Sequence, residues 1–209
     1  MMKKLLLSST LSLLLAVTIV LFPNQTSAAT VLQLEDEGSA VVELQQQLIA
    51  LGYLPTSATG YYGDYTKEAV RQLQRDFNLF QDGVAGPQTW AKLRDIEKIA
   101  KIVHGEARGE SYEGQVAVAA VVKNRLQSPH FPSTVEGVIY QRNAFTAVQD
   151  GQYDLTPTYI SYRAVKDAWK GWDPSQGATY YYNPHIATSE WIFANTTPKF
   201  SIGKHLFAD

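Results

Sequence analysis

The residue with the clearest chemical potential is a single acidic side chain, Glu106. Ile99, Val103 and Glu106 fall on one face of a helix, so Glu106 continues an apolar stripe. Gly105 and Gly109 bracket Glu106, which predicts that the helix ends there. A carboxyl group on the inner face at a helix C-terminus is desolvated and faces the negative end of the helix dipole, and both effects favour the protonated form. A general acid working near neutral pH needs that property, and we therefore interpret Glu106 as catalytic.

An acid of this kind suits the cleavage of a glycosidic bond, in which the leaving oxygen must be protonated. Most such reactions also use a second carboxylate as nucleophile or base. The candidates are Glu110, Glu113, Asp150 and Asp154, but no spacing distinguishes one of them. Glu110 and Glu113 are equally well explained as residues of the first turn of the following helix, where the helix dipole favours acids.

Metal-dependent chemistry finds little support in the sequence. A catalytic zinc site needs about three protein ligands that converge on one ion. The chain contains no cysteine and no H-E-x-x-H motif, and its four histidines are scattered at His104, His130, His185 and His205. We therefore predict no metal site and no cofactor, and the lack of cysteine also excludes thiolate nucleophiles and disulfides.

The elements that must position Glu106 are mostly helical. Residues 116–122 (VAVAAVV) are apolar on every face, which predicts a central buried helix. Residues 141–154 contain few helix formers and the turn signal Asp150-Gly151, which predicts a loop or a small hairpin. The segment after Trp172 is irregular and aromatic, and it suits either a saccharide groove or a β-rich cap packed on the helices. The predicted fold class is mainly α (α+β), with a small β-hairpin or irregular aromatic cap.

An internal repeat precedes this region. Residues 40–45 (AVVELQ) recur as residues 69–74 (AVRQLQ), each with the apolar spacing of an amphipathic helix. A third short helix is predicted to begin at Thr89. We therefore divide the chain into a small three-helix module at 30–95 and a second domain at 96–209, without a proline- or glycine-rich linker between them.

The N-terminus predicts export. Lys3 and Lys4 precede an apolar run at residues 5–22, and small residues follow up to Ala29. This pattern indicates a secretory signal peptide at residues 1–29, and cleavage is favoured over a retained anchor because hydroxyl residues interrupt a run of marginal length. The net charge of −2 provides no electrostatic surface for nucleic acid or anionic lipid. We expect no stable membrane insertion after cleavage.

The first module resembles a known family. Its combination of glycines, helix-core residues and turns is similar to the three-helix peptidoglycan-binding module of exported wall enzymes. The matching positions are Gly38, Val42, Leu44, Gln45, Leu48, Gly52, Tyr53, Gly63, Thr66, Ala69, Val70, Leu73, Gln74, Asp82, Gly83, Gly86 and Thr89. The resemblance implies a non-catalytic anchor with peptidoglycan as its partner.

The second domain resembles the SleB/CwlJ type of cell wall hydrolase, the spore cortex-lytic enzymes of endospore-forming bacteria and their vegetative relatives. The matching motifs occur at 103–110, 113–125, 145–148, 178–184 and 202–205. The resemblance implies a lysozyme-like, mostly helical fold, with the catalytic glutamate at Glu106. The matching motifs and their side-chain chemistry also make Thr146, Tyr182 and Asn183 candidates for saccharide contacts.

The family implies cleavage of the glycan strand as a lytic transglycosylase. In that reaction the 6-hydroxyl of muramic acid attacks, a 1,6-anhydro end forms, and one glutamate serves as acid and then as base. The alternatives are a hydrolytic muramidase, a zinc N-acetylmuramoyl-L-alanine amidase and a non-catalytic wall-binding protein. We expect a secreted protein associated with the cell wall or the spore cortex, with a role in germination or sporulation. The sequence leaves open which of the two walls is the substrate.

Overall fold

The computed structural model describes residues 30–209, and the predicted signal peptide at 1–29 lies outside the described residues. The helices are α1 (Ser39–Ala50), α2 (Asp64–Asp76), α3 (Pro87–Ala107), α4 (Tyr112–Gln127), α5 (Val135–Ile139), α6 (Thr146–Gln149), α7 (Tyr159–Trp169) and α8 (Glu190–Asn195). A 3-10 turn spans Gln152–Asp154, and the strands are β1 (Tyr180–Tyr182), β2 (Pro198–Ile202) and β3 (His205–Ala208). None of the helices within 30–209 has both the length and the apolar character needed to cross a bilayer.

The two copies of the sequence repeat form α1 and α2, and each copy buries a glutamine. The Gln45 amide donates to the Tyr61 carbonyl (2.9 Å) and the Thr66 hydroxyl (2.9 Å), and its oxygen accepts from the Gly60 N–H (2.9 Å). Because a buried amide must be paired, Gln45 ties α1 to the loop that leads into α2.

The second copy repeats this arrangement one element later. The Gln74 amide donates to the Val84 carbonyl (3.0 Å) and the Thr89 hydroxyl (3.2 Å), and its oxygen accepts from the Gly83 N–H (2.9 Å). Gln74 therefore ties α2 to the start of α3. Both copies of the repeat thus have a glutamine at the same position, where its buried amide pairs with groups of the next segment.

Helix α3 joins two segments that were predicted separately, the short helix beginning at Thr89 and the helix that carries Ile99, Val103 and Glu106, and it is longer than either. It spans 21 residues, from Pro87 to Ala107, because Pro87 occupies its first turn and no helix breaker follows before Gly105. The boundary predicted at 95/96 therefore lies inside a continuous helix. The division into two domains stays a prediction, but one hydrophobic core extends from Leu32 to Ala168 across that boundary.

Helix α4 is the central helix that the apolar run predicted. Every residue from Val116 to Val122 is fully buried, and α4 packs against α3 and α7. Helix α7 also contacts the first module, where the ring of Trp169 stacks on Phe77 with the centroids 5.8 Å apart. The two predicted domains thus share α3 and also pack together through α7.

The segment 141–154 forms short helical turns, so the hairpin alternative is wrong there. Gly151 adopts a positive φ of 81°, and the Asp150 carboxylate accepts from the Gln152 N–H (3.1 Å). These interactions close a 3-10 turn instead of directing the chain into a second strand. The loop alternative describes this segment correctly.

The C-terminal aromatic segment forms a small antiparallel sheet in the order β1-β3-β2. Tyr181 of β1 pairs with Phe207 of β3, and the buried Phe207 packs on Ala117 and Val121 of α4. This sheet is the predicted β-hairpin cap, with one additional strand. The mainly α fold class with a small cap is therefore confirmed.

Candidate active site

Glu106 is the penultimate residue of α3, and its side chain is half-buried. Its Oε1 accepts hydrogen bonds from the Ala147 N–H (2.7 Å) and the Thr146 hydroxyl (3.0 Å). Its Oε2 accepts from the Tyr181 hydroxyl (3.1 Å). Three donors therefore hold both carboxylate oxygens in one orientation, as expected of a group that must face a substrate bond.

Gly105 allows helix α6 to approach Glu106. A Cβ at Gly105 would lie 2.5 Å from the Cβ of Ala147, so only glycine permits this contact. The approach places the first turn of α6 beside the end of α3. Since N–H groups in the first turn of a helix lack partners within the helix, the Ala147 N–H is available to the carboxylate.

Tyr181 lies on β1, and its ring packs against His205 (4.9 Å between centroids) and Phe207 (5.9 Å). Burial raises the pKa of Tyr181 well above its ordinary value, and the neighbouring Glu106 carboxylate acts in the same direction. Tyr181 therefore keeps its proton at neutral pH and remains a hydrogen-bond donor to Glu106.

A buried cation, Arg125, lies behind the donors. Its Nε donates to the Thr179 carbonyl (2.7 Å), and its guanidinium lies 4.9 Å from the Phe145 ring centroid and 5.6 Å from that of Tyr180. Each ring directly precedes a residue that donates to Glu106. Arg125 thus links the α6 segment to β1 through cation–π contacts, and its truncation would disturb both sides of the site.

Glu110 has a structural partner. Its Oε2 accepts from the Lys204 N–H (3.1 Å) in the turn between β2 and β3. A Cβ at Gly203 would collide with the same carboxylate oxygen, so the turn closes tightly over Glu110. Glu110 therefore anchors the hairpin that carries His205.

The other candidate for a second carboxylate with a defined environment is Asp150. Hydrogen bonds from the Gln152 side chain and N–H lower the pKa of Asp150, so it stays ionised and accepts from its own turn. Within residues 30–209, the hydrogen bonds to the Glu106 carboxylate come from Thr146, Ala147 and Tyr181. The structure therefore does not bring a second carboxylic acid into contact with Glu106.

The three predicted saccharide contacts lie in different settings. The Thr146 hydroxyl donates a hydrogen bond to the Glu106 carboxylate. Tyr182 alternates with Tyr181 along β1, so it faces the other side of the strand, where its ring meets Phe193 edge-on (5.5 Å). The Asn183 side chain accepts from the His185 N–H (3.0 Å). A saccharide role for these three residues stays a prediction.

Sequence reasoning missed Ala147, Tyr181 and Arg125. Ala147 acts through its backbone N–H, which no residue type reveals. Tyr181 stands in a run of three tyrosines at 180–182, and strand alternation would have separated it from its neighbours if β1 had been recognised. Arg125 closes an apolar helix, and a buried cation there resembles an ordinary surface residue in the sequence.

Metal-binding geometry is absent from the part of the chain that the structure describes. No three histidine or acidic side chains between residues 30 and 209 approach one another closely enough to hold an ion. The buried His104 and His205 lie apart, one on α3 and the other on β3. The arrangement around Glu106 supports acid–base chemistry by a single carboxyl group.

Comparison with protein families identifies both halves of the chain. The family model for Cell Wall Hydrolase matches residues 109–208, beginning just after Glu106. A model for a peptidoglycan binding domain matches residues 37–93. The fold and the matched families together define the class of cell wall hydrolases that carry a wall-binding module.

The similarity to individual proteins is more specific. A spore cortex-lytic enzyme of Bacillus cereus is 38% identical, over 89% of this chain and 87% of the relative. The spore cortex-lytic enzyme of Bacillus subtilis is 56% identical, over 55% of this chain and 37% of the relative. The solved catalytic domain of the germination-specific lytic transglycosylase SleB from Bacillus anthracis is 54% identical, with a TM-score of 0.52, over 55% of this chain and 93% of that structure. This chain therefore belongs to the spore cortex-lytic enzyme family, and both resemblances are confirmed.

Proposed function

We propose that this protein cleaves the glycan strand of peptidoglycan as a lytic transglycosylase, with Glu106 as the general acid and then the general base. The observation that carries the proposal is one carboxyl group oriented by three donors, while the nearby candidate acids Glu110 and Asp150 accept hydrogen bonds from other turns. A glycosidase that uses a second carboxylate as nucleophile would place it about 5–5.5 Å away. An internal nucleophile on the sugar removes that requirement.

The reaction balances without water. Protonated Glu106 gives its proton to the oxygen that joins muramic acid C1 to the next sugar, and the C1–O bond breaks. The 6-hydroxyl of the same muramic acid attacks C1 and closes the 1,6-anhydro ring. The Glu106 carboxylate accepts the proton of that hydroxyl, which restores the acid. Thr146, Ala147 and Tyr181 stabilise the carboxylate in the interval between the two proton transfers.

The matched wall-binding region supports peptidoglycan as the partner of this chain. The predicted signal peptide at residues 1–29 supports export, and the B. cereus relative is a spore cortex-lytic enzyme. We propose that the protein is secreted and acts on the cortex, with Thr146, Tyr182 and Asn183 contacting the saccharide.

Mass spectrometry of the products tests the chemistry. Purified cortex and vegetative peptidoglycan are digested in H₂¹⁸O, and the released fragments are compared. We expect anhydro-muramic ends without incorporated ¹⁸O. Reducing muramic ends that carry ¹⁸O indicate a hydrolytic muramidase, and free peptides with intact glycan indicate an amidase. Binding to the wall without any released fragment indicates a non-catalytic wall-binding protein, so each of these three outcomes contradicts the proposal.

A further inference from the structure

A cleft lies where the two predicted domains meet. It has a volume of about 680 Å³, and it opens between the end of α1, the start of α4 and one face of α7. Its lining residues are Gly52, Tyr112, Tyr159, Ile160, Arg163, Lys166 and Asp167. The cleft shares no lining residue with Glu106 and its donors, so it is a separate site.

Two cations line the cleft, and the acidic groups that act on Lys166 are Asp167 and Asp76. Within residues 30–209, no carboxylate forms an ion pair with Arg163 or Lys166. The guanidinium of Arg163 lies 5.4 Å from the ring centroid of Tyr159, and the ammonium of Lys166 lies 4.9 Å from that of Tyr53. Aromatic rings thus hold both cations in place and leave their N–H groups available for an anion.

Gly52 lies next to both cations. Gly52 ends α1 with a positive φ of 72°, and a Cβ there would lie 3.2 Å from Nε of Arg163 and 3.4 Å from Nζ of Lys166. A side chain at this position would cover the two cationic groups. Glycine therefore keeps the cations accessible at the junction between the predicted domains.

The acid in the cleft is already engaged. Asp167 accepts a hydrogen bond from the Tyr112 hydroxyl at 2.7 Å, and burial, together with this contact, raises the pKa of Tyr112. Burial also lowers the pKa of Lys166, although Asp167 acts in the opposite direction. A bound anion would restore the favourable environment of the ammonium that burial has reduced.

Exposed rings lie beside the cations. The side chain of Tyr159 is 60% exposed, and that of Trp172 is 44% exposed and lies 5.8 Å from the Tyr112 ring. Rings with one open face bind the apolar faces of sugars, and paired cations bind carboxylates. A ligand with both features is a sugar that carries an acidic peptide.

We propose that this cleft is a second peptidoglycan-binding site, in which Arg163 and Lys166 bind a carboxylate of the wall peptide and the exposed rings bind the adjoining sugar. This inference rests on the proposed function, because it takes the same polymer as ligand. The cleft holds a peptide-bearing strand at the junction of the predicted domains while Glu106 acts on the glycan. No cleavage step occurs in the cleft.

The test measures binding without turnover. Residues 30–209 carrying Glu106→Gln are titrated by calorimetry with a soluble disaccharide tetrapeptide, and then with the same compound after its carboxyl groups are amidated. Arg163→Ala combined with Lys166→Ala is expected to weaken binding of the free-acid probe about tenfold, since hydrogen bonds to charged groups are among the stronger ones. The amidated probe is expected to bind the double variant and its parent equally.

Two further variants keep the result interpretable. Tyr159→Ala changes an exposed ring on the cleft and is expected to weaken both probes, because both retain the sugar. Arg94→Ala removes an exposed arginine of α3 and is the matched charge control, with unchanged binding expected.

Unchanged affinity of the double variant for the free-acid probe overturns the site, and so does an equal loss for both probes. Either result leaves the product analysis of the active chain untouched. A failure of this site is therefore distinguishable from a failure of the transglycosylase proposal.

Discussion

Gln45 in the first module and Glu106 in the second region have similar side chains, and each lies on the inner side of a helix. Gln45 is almost fully buried, and the groups around its amide come from the loop before α2 and from the first turn of α2. Glu106 receives its hydrogen bonds from α6 and β1, which lie far along the chain, and remains half-buried. The partners of Gln45 are close in sequence, and its amide stabilises the fold. The partners of Glu106 are distant in sequence, and they orient a carboxylate that remains accessible.

The same contrast extends to the elements around these residues. In the first module each buried glutamine joins two consecutive helices, so the contacts follow the order of the chain. In the second region the Arg125 guanidinium contacts the rings of Phe145 and Tyr180, which directly precede Thr146 and Tyr181 in the sequence. The site therefore depends on long-range packing of α4 against the cap, and the substitutions below separate these two roles.

Glu106→Gln gives the largest expected effect. The rate of glycan cleavage falls roughly 10²- to 10⁴-fold, because the amide can neither give nor accept the proton. The release of muropeptides from purified peptidoglycan measures the rate, and the melting temperature is expected to stay near that of the wild type. Glu43→Gln, an exposed substitution on α1, is the matched control. If the Glu106→Gln variant cleaves at the wild-type rate, Glu106 is not catalytic, and it does not differ from Gln45 in its role.

Gln45→Leu is expected to lower the free energy of unfolding by about 2 kcal/mol, because the buried Thr66 hydroxyl and the partly buried Gly60 N–H lose their partner. Urea denaturation measures the loss. Gln46→Leu makes the same change at an exposed position of α1 and is expected to change the unfolding free energy by less than about 0.5 kcal/mol. Equal stability of the two variants would contradict the structural role of Gln45.

Tyr181→Phe is expected to lower the cleavage rate about tenfold, because one hydrogen bond to the charged Glu106 carboxylate is lost. The ring and its packing remain, so the effect on the melting temperature is small. Tyr162→Phe, which changes a half-buried tyrosine on α7, is the control with an unchanged rate. A wild-type rate for Tyr181→Phe would show that the other two donors are sufficient to orient Glu106.

The smallest effect is a pH dependence of stability, which arises in the second region because the first module contains no histidine. Burial lowers the pKa of His205 below its ordinary value of 6.5, with Glu110 and Glu106 opposing and Lys204 acting in the same direction. The unfolded chain binds the proton near pH 6.5, so this stabilisation is complete above that pH and is lost as the pH falls towards the lower folded value. Urea denaturation at pH 7 and pH 5 measures it.

His205→Gln is expected to make this pH dependence shallower. His185→Gln, at an exposed position, is expected to retain the slope of the wild type. An identical slope for wild type and His205→Gln would show that burial of this ring does not influence folding.

Much of the fold was readable from local patterns. The apolar run at 116–122 predicted the buried α4, and the repeat predicted α1 and α2. For residues 141–154 a loop or a small hairpin was predicted, and only the loop is correct. Gly151 with its positive φ and the hydrogen bond from the Gln152 N–H to Asp150 favour helical turns, and these features depend on backbone conformation more than on periodicity. The length of α3 was underestimated because the last helix of the first module and the helix that carries Glu106 are one continuous helix.

The sequence by itself determined where an acid continues an apolar helix face, because helical periodicity depends only on spacing along the chain. The family resemblances depend equally on order and spacing, and both were confirmed. Only the tertiary structure decided which groups hold Glu106, since a backbone N–H of α6 and a tyrosine of β1 meet there through packing around Arg125. Contacts between distant segments follow from how helices and sheet pack, and no local pattern records them.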